Sequence, residues 1–153
     1  MTDLPLAGDA GLAGLFVSAF TSATLLPGTS EGVLAGLLAA GLVPVLSAVA
    51  VASVGNVLGS CVNWWLGMQA ARMAPAQPGH ESSRRLDRAR AWYNRYGYWS
   101  LLASWVPIVG DPLTLVAGAM REPFWRFLAI VTLAKSGRYA ALAAGLVASG
   151  LHG

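Results

Sequence analysis

Charge is scarce in this chain and unevenly placed. Only 11% of its 153 residues are Asp, Glu, Lys or Arg, against about a quarter in a soluble domain. Between Gly11 and Ala71 the single charged residue is Glu31. A run of that length cannot be the core of so short a soluble chain, but it suits membrane spans, each of which needs about 20 apolar residues. Cysteine is limited to Cys61, which excludes an intramolecular disulfide and a cysteine-based metal set. Histidine is limited to His80 and His152, both outside the apolar runs. His80 has no company as a ligand, so no metal is expected. The motif HExxH and a Cys–His pair are absent, which argues against an intramembrane enzyme, and no cofactor is expected. The first fourteen residues carry Asp3 and Asp9 but no basic residue. They lack the positive n-region of a secretory signal, so no cleavage is expected.

The basic residues that are present cluster. Of ten, Arg72, Arg84, Arg85, Arg88, Arg90 and Arg95 lie in one connecting segment. Such clusters mark cytoplasmic loops, and this accounts for the net charge of +3 without a nucleic-acid partner. Within the connector, residues 82–94 suit an amphipathic helix on the membrane surface, with Leu86, Ala89, Trp92 and Tyr93 on its apolar side.

Two stretches interrupt the apolar runs in a similar way. Leu26-Pro27-Gly28-Thr29-Ser30-Glu31 and Trp105-Val106-Pro107-Ile108-Val109-Gly110-Asp111-Pro112 each place a proline four residues before an acid, 80 residues apart. In the first, residues 1–10 read as a polar lead. Leu12 to Leu26 is too short to span at helical rise. Gly28 permits a sharp turn, Thr29 or Ser30 suits a helix cap, and Glu31 falls in the first turn. In the second, Asp111 suits a cap with Pro112 at the first helical position. Pro27, Gly28, Pro107, Gly110 and Pro112 are therefore the expected loop-shaping residues. Each break lies between two short apolar pieces, the pattern of a re-entrant hairpin.

Full spans follow both hairpins. Residues 43–67 carry Asn56, Ser60 and Asn63 at helical spacing, which puts them on one face, suited either to helix packing or to lining a polar cavity. Gly55 and Gly59 form a GxxxG, a close-approach motif through which two copies of the chain could associate. Trp64 and Trp65 suit an interfacial anchor. Residues 124–150, anchored by Trp125, carry Lys135 and Arg138 near the middle. Cations at that depth need carboxylate or water partners, and Glu31 and Asp111 are the acids in apolar surroundings.

The expected fold is an all-α integral membrane protein: one membrane domain of 153 residues, with residues 1–71 and 98–153 as its halves and 72–97 as a basic cytoplasmic connector. Each half is a re-entrant hairpin followed by a transmembrane helix, and the halves are inverted repeats, an architecture of secondary transporters.

The Pro-Gly-Thr-Ser-Glu of the first half resembles the DedA family of membrane proteins (SNARE-associated, VTT domain). So do Tyr96-Gly97-Tyr98-Trp99 ahead of Trp105 to Thr114, and Val116 to Met120 before a charged turn and Phe124. The Gly-Asp-Pro-Leu-Thr form looks most like its YqaA-type branch. The resemblance covers about residues 15–148. It implies a bacterial inner-membrane protein with two facing re-entrant loops, moving lipid carriers or phospholipids between leaflets with proton coupling, in support of envelope homeostasis. On matching positions Glu31 is the acid of the first loop and Asp111 that of the second. Many family members carry arginines on both sides of the second-loop proline. Here those places are Ser104 and Gly110, which leaves Lys135 and Arg138 as the basic groups available to an anion.

The expected function is thus transport of a lipid or lipid-linked anion, with Glu31, Asp111, Lys135 and Arg138 as candidate residues. The alternative is a non-transporting scaffold or assembly factor that uses the GxxxG and the basic segment as contact surfaces. The charge pattern also predicts both termini outside and residues 72–95 in the cytoplasm. In a Cys61-free background, a cysteine introduced at position 80 is expected to stay unlabelled by an impermeant reagent added to intact cells; labelling would invert the topology.

Overall fold

The computed structural model describes residues 3–24, 28–73 and 83–150, so Pro27 and residues 74–82, with His80, lie outside it. The described residues are helical and contain no strand. The α-helices are α1 (Asp3–Thr24), α2 (Thr29–Ala39), α3 (Val45–Met73), α4 (Ser83–Tyr96), α5 (Pro107–Ala119) and α6 (Phe124–Ala148), and a 3-10 helix (Gly97–Trp105) lies between α4 and α5.

Three helices are long and apolar enough to cross a membrane: α1 over Leu6–Thr24, α3 and α6. The first of these corrects the expectation of a short apolar piece behind a polar lead. Helix α1 starts at Asp3, because a proline in the first turn gives up an N–H that has no partner there, and early acids favour the N-terminal end of the helix dipole. Helix α3 also runs on to Met73, so Trp64 is not at its end. Its indole N–H donates to the Glu122 carbonyl at 3.1 Å, while Trp65 stays half exposed.

The chain forms two compact units, residues 1–59 with 135–153, and residues 60–134. In the first, Leu15 and Ala19 of α1, Leu34 and Leu38 of α2, Ala48 and Ala52 of α3, and Tyr139 and Ala143 of α6 make the core. Gly55 and Gly59 are spent inside the chain: a Cβ on them would stand 2.7 Å from the Phe16 carbonyl oxygen and 2.6 Å from that of Phe20. The close approach that GxxxG allows is therefore made to α1.

In the second unit α4, the 3-10 helix and α5 pack together around Tyr93, Leu101, Leu113, Val116, Phe127 and Val131. Here α3 and α5 touch backbone to backbone. A Cβ on Gly118 would collide with the Trp64 carbonyl, and one on Gly67 with that of Leu115.

The two short apolar helices end alike. After α2, Gly41 N–H bonds the Leu38 carbonyl (3.1 Å) and Leu42 N–H that of Leu37 (3.2 Å). After α5, Arg121 N–H bonds Gly118 (3.0 Å) and Glu122 N–H bonds Ala117 (2.9 Å). Both are Schellman closures, with the left-handed residue supplied by Gly41 (φ 64°) and by Arg121 (φ 57°). A proline follows each, Pro44 and Pro123, and its carbonyl accepts the first bond of the next long helix. The same backbone device thus launches α3 and α6.

Gly118→Ala is expected to lower the thermal midpoint of the purified protein, since the obstructing atoms are backbone and such overpacking costs about 1–3 kcal/mol. Gly36→Ala, which meets nothing within 4 Å, is expected to hold or raise it through helix propensity.

Candidate functional site

The polar groups of the first unit converge on one hydroxyl. Helix α2 begins at Thr29 behind Gly28, whose φ of 92° makes the turn. Gly28 occupies the cap position and no side chain caps the helix, which corrects the expectation for Thr29 and Ser30. Ser30 is instead fully buried, with Oγ 2.7 Å from Tyr139 Oη. Its neighbour Glu31 lies in the first turn as expected.

Tyr139 Oη also meets Asn56 Nδ2 at 3.0 Å and Arg138 Nη2 at 3.3 Å. The Asn56 amide donates to the Ala19 carbonyl at 3.1 Å as well, and its Oδ1 accepts from Lys135 Nζ. Arg138 Nη2 reaches Glu31 Oε1 at 3.1 Å, and Ser30 Oγ donates to Glu31 Oε2 at 3.3 Å. The Arg138 guanidinium sits 4.9 Å from the Tyr139 ring centre. Three of the expected residues, Glu31, Lys135 and Arg138, therefore enter one network together with Asn56. The cation–carboxylate pairing is realised by Arg138 with Glu31. Lys135 is only 1% exposed, and it is held by an amide oxygen.

Tyr139 was not among the residues singled out from sequence, and Ser30 was singled out only as a helix cap. A signal for Tyr139 was there: it follows Lys135 by four residues and so shares its helical face. Ser30 read as a cap because its type and position suit one.

The second break has a different register from the one expected. Helix α5 starts with Pro107 in its first turn behind Val106, so Asp111 is not a cap and Pro112 lies inside the helix. Proline at the first helical position loses no bond, and its fixed φ presets the helix, which places the start five residues before Pro112. The half-buried Asp111 accepts a bond from Thr114 Oγ1 on its backbone carbonyl (2.7 Å), and Thr114 Oγ1 in turn accepts from Asn63 Nδ2 (3.3 Å). Ser60 and Asn63 are both buried in this unit. Gly110 lets the first turn of α5 lie against the backbone of Ser104, where any Cβ would collide. A side chain at 110 has no room in this arrangement.

Glu122 is a further buried acid that sequence reasoning assigned to a charged turn. It is 8% exposed, accepts from Tyr93 Oη, and has Arg126 Nη1 at 3.4 Å. Arg126 also lies 4.7 Å over the Tyr98 ring. Burial and the bond to Glu122 push the Tyr93 phenol well above its ordinary value. Between α4 and the break, a pocket of about 390 Å³ is lined by Arg88, Ala89, Trp92, Val106, Ile108 and Pro112 among others. Among the described residues no group of three or more His, Cys, Asp or Glu could hold a metal ion.

Comparison with known proteins adds to this geometry. The VTT domain matches residues 26–146. The chain is 43% identical over 136 residues to "Inner membrane protein YqaA" of Escherichia coli (strain K12), covering 89% of this chain and 91% of that protein. The protein of that name from Shigella flexneri matches to the same extent. An "Uncharacterized protein" of Haemophilus influenzae is 34% identical over 135 residues, covering 84% of this chain and 82% of that protein. No solved structure matches.

The Tyr93–Glu122 contact has a consequence for alkaline stability. The folded chain holds the phenolic proton to higher pH than the unfolded chain, where the value is about 10. Its contribution is whole below about pH 10 and is lost as the pH rises beyond it. Tyr93→Phe is expected to weaken folding at neutral pH, because Glu122 loses a donor, and to flatten the alkaline fall in the melting midpoint.

Proposed function

We propose, on the premise that this chain belongs to the VTT-domain (DedA) family, that it moves a lipid or lipid-linked anion between the leaflets of the bacterial inner membrane, with protons as coupling ions. Its relatives are named inner membrane proteins, and its three apolar helices suit a multi-pass protein of that membrane. The observation that carries the reading is the Glu31–Arg138 pair at 3.1 Å, set in a hydrogen-bonded network among apolar helices. Buried ionisable groups in such surroundings mark substrate paths and proton relays. A guanidinium that can exchange its carboxylate for a phosphate gives an anion a place to rest, and the released carboxylate gives a proton one.

In the proposed architecture α2 and α5 are the returning arms of re-entrant hairpins, and the halves of the chain are inverted repeats. The shared Schellman closure and proline at the ends of α2 and α5 support the repeat. Glu31 and Asp111 are the proposed proton carriers of the first and second break. A scaffold role remains the second reading, favoured by the basic α4 with Arg88, Arg90 and Arg95.

The test is a leaflet-specific lipid assay in proteoliposomes. The unsubstituted chain is expected to move an anionic lipid faster in the presence of a proton gradient. Glu31→Gln and Arg138→Met are each expected to slow it about tenfold or more, the scale of one charge-assisted bond. Arg138→Met should also reduce the folded yield, because it strands a carboxylate, and Glu31→Gln combined with it should restore that yield. A well-folded chain that moves no lipid would favour the scaffold.

A further inference from the structure

The hydrogen atoms of the first unit can be assigned from chemistry alone. Arginine and lysine have only donors, and an amide nitrogen only donates. Lys135 therefore fixes the Asn56 oxygen toward itself and the Asn56 nitrogen toward Tyr139 and the Ala19 carbonyl. Tyr139 Oη then accepts from both Asn56 and Arg138. Its single proton must go to Ser30 Oγ at 2.7 Å. Ser30, whose own oxygen now accepts, sends its proton to Glu31 Oε2 at 3.3 Å. The Tyr139 and Ser30 hydroxyls thus both point toward one carboxylate oxygen, and Arg138 Nη2 lies 3.1 Å from the other.

Among the described residues such a network has no place for a proton on Glu31. On Oε1 it would face a guanidinium, which cannot accept. On Oε2 it would face the Ser30 hydroxyl, whose proton would have to turn away. Ser30 is fully buried, and among the described residues it has no other hydrogen-bond partner. We infer that Tyr139 is a positioning residue: its hydroxyl polarises Ser30 so that the closed packing of α2 on α6 within this unit requires an ionised Glu31, and proton uptake by Glu31 parts the two helices. The proton joins one carboxylate oxygen, no other covalent bond changes, and the Arg138 contact is released.

The groups that face Glu31 are Arg138 and, through Ser30, Tyr139 from α6, which also carries Lys135; α3 brings Asn56, which accepts from Lys135, and α1 brings the Ala19 carbonyl, while its Asp9 is exposed. This inference deepens the proton coupling proposed above and rests on it for its purpose, but its test needs no lipid movement.

The test measures the distance between spin labels at Val33 of α2 and Val147 of α6, both partly exposed, in the full chain in lipid nanodiscs with Cys61 replaced by serine. The unsubstituted chain is expected to show one short distance at neutral pH and a shift to longer distances on acidification. Glu31→Gln carries an amide donor where a proton would sit, so it should be open at both values and insensitive to pH. Tyr139→Phe removes the donor that polarises Ser30, which weakens the bond from Ser30 to the ionised Glu31. In the Tyr139→Phe variant the acid shift is therefore expected at higher pH than in the unsubstituted chain, a change of pH profile that a purely structural tyrosine would not give. The acid shift of the unsubstituted chain makes the same point if the tyrosine variants do not fold. No acid shift, a closed Glu31→Gln variant, or a Tyr139→Phe variant that opens at the same pH as the unsubstituted chain would each overturn the inference. A chain that switches as described but moves no lipid would overturn the transport reading and leave this one standing.

Discussion

Polar groups carried into an apolar interior must find their partners in the chain itself, and the Tyr139 hydroxyl is where the first unit meets that demand. Four elements reach it or its direct neighbours: the Ala19 carbonyl of α1, Ser30 of α2, Asn56 of α3, and Arg138 with Lys135 of α6. Apolar contact alone gives helices little preference for one another in lipid, so small residues and polar bonds specify the packing. Gly55 and Gly59 set how near α1 comes, and the network fixes its register. The second unit meets the demand with Glu122, which gathers Tyr93 and Arg126 through its side chain and Trp64 through its carbonyl.

Both units also depend on how a short helix is stopped. Helices α2 and α5 close by the same pair of backbone bonds and hand over to a long helix through a proline. That closure needs a left-handed residue. Glycine supplies it at no steric cost after α2, and Arg121 supplies it after α5 against its own preference. The turn at Arg121 aims Glu122 inward, so this local cost is tied to a buried carboxylate with two side-chain partners.

The membrane class, the long helices α3 and α6, and the amphipathic α4 were legible from composition and period, because these reflect solvent preference summed over many residues. Glu31, Lys135 and Arg138 were legible for the same reason: a charge stands out in an apolar run. The start of α1 was not, since polarity before an apolar stretch resembles a lead and only helical hydrogen bonding distinguishes the two. The register of α5 was missed because two prolines competed for one helical position, and the sequence carries both. Tyr139 and Glu122 escaped because a tyrosine in an apolar span and an acid in a turn are ordinary neighbours. Their roles arise from contacts across 109 and 29 residues.

The 3-10 helix between α4 and α5 has a mechanical implication. Nine residues is long for this geometry. Each residue advances about 2.0 Å, against about 1.5 Å in an α-helix. Rewinding the segment to α geometry would draw its ends together by roughly 4–5 Å. It would also rotate Leu101 and Ser104, now buried on one side three residues apart, out of alignment. Such rewinding would shorten the segment ahead of the Pro107 break by about the thickness of one strand of chain while every residue remained helical.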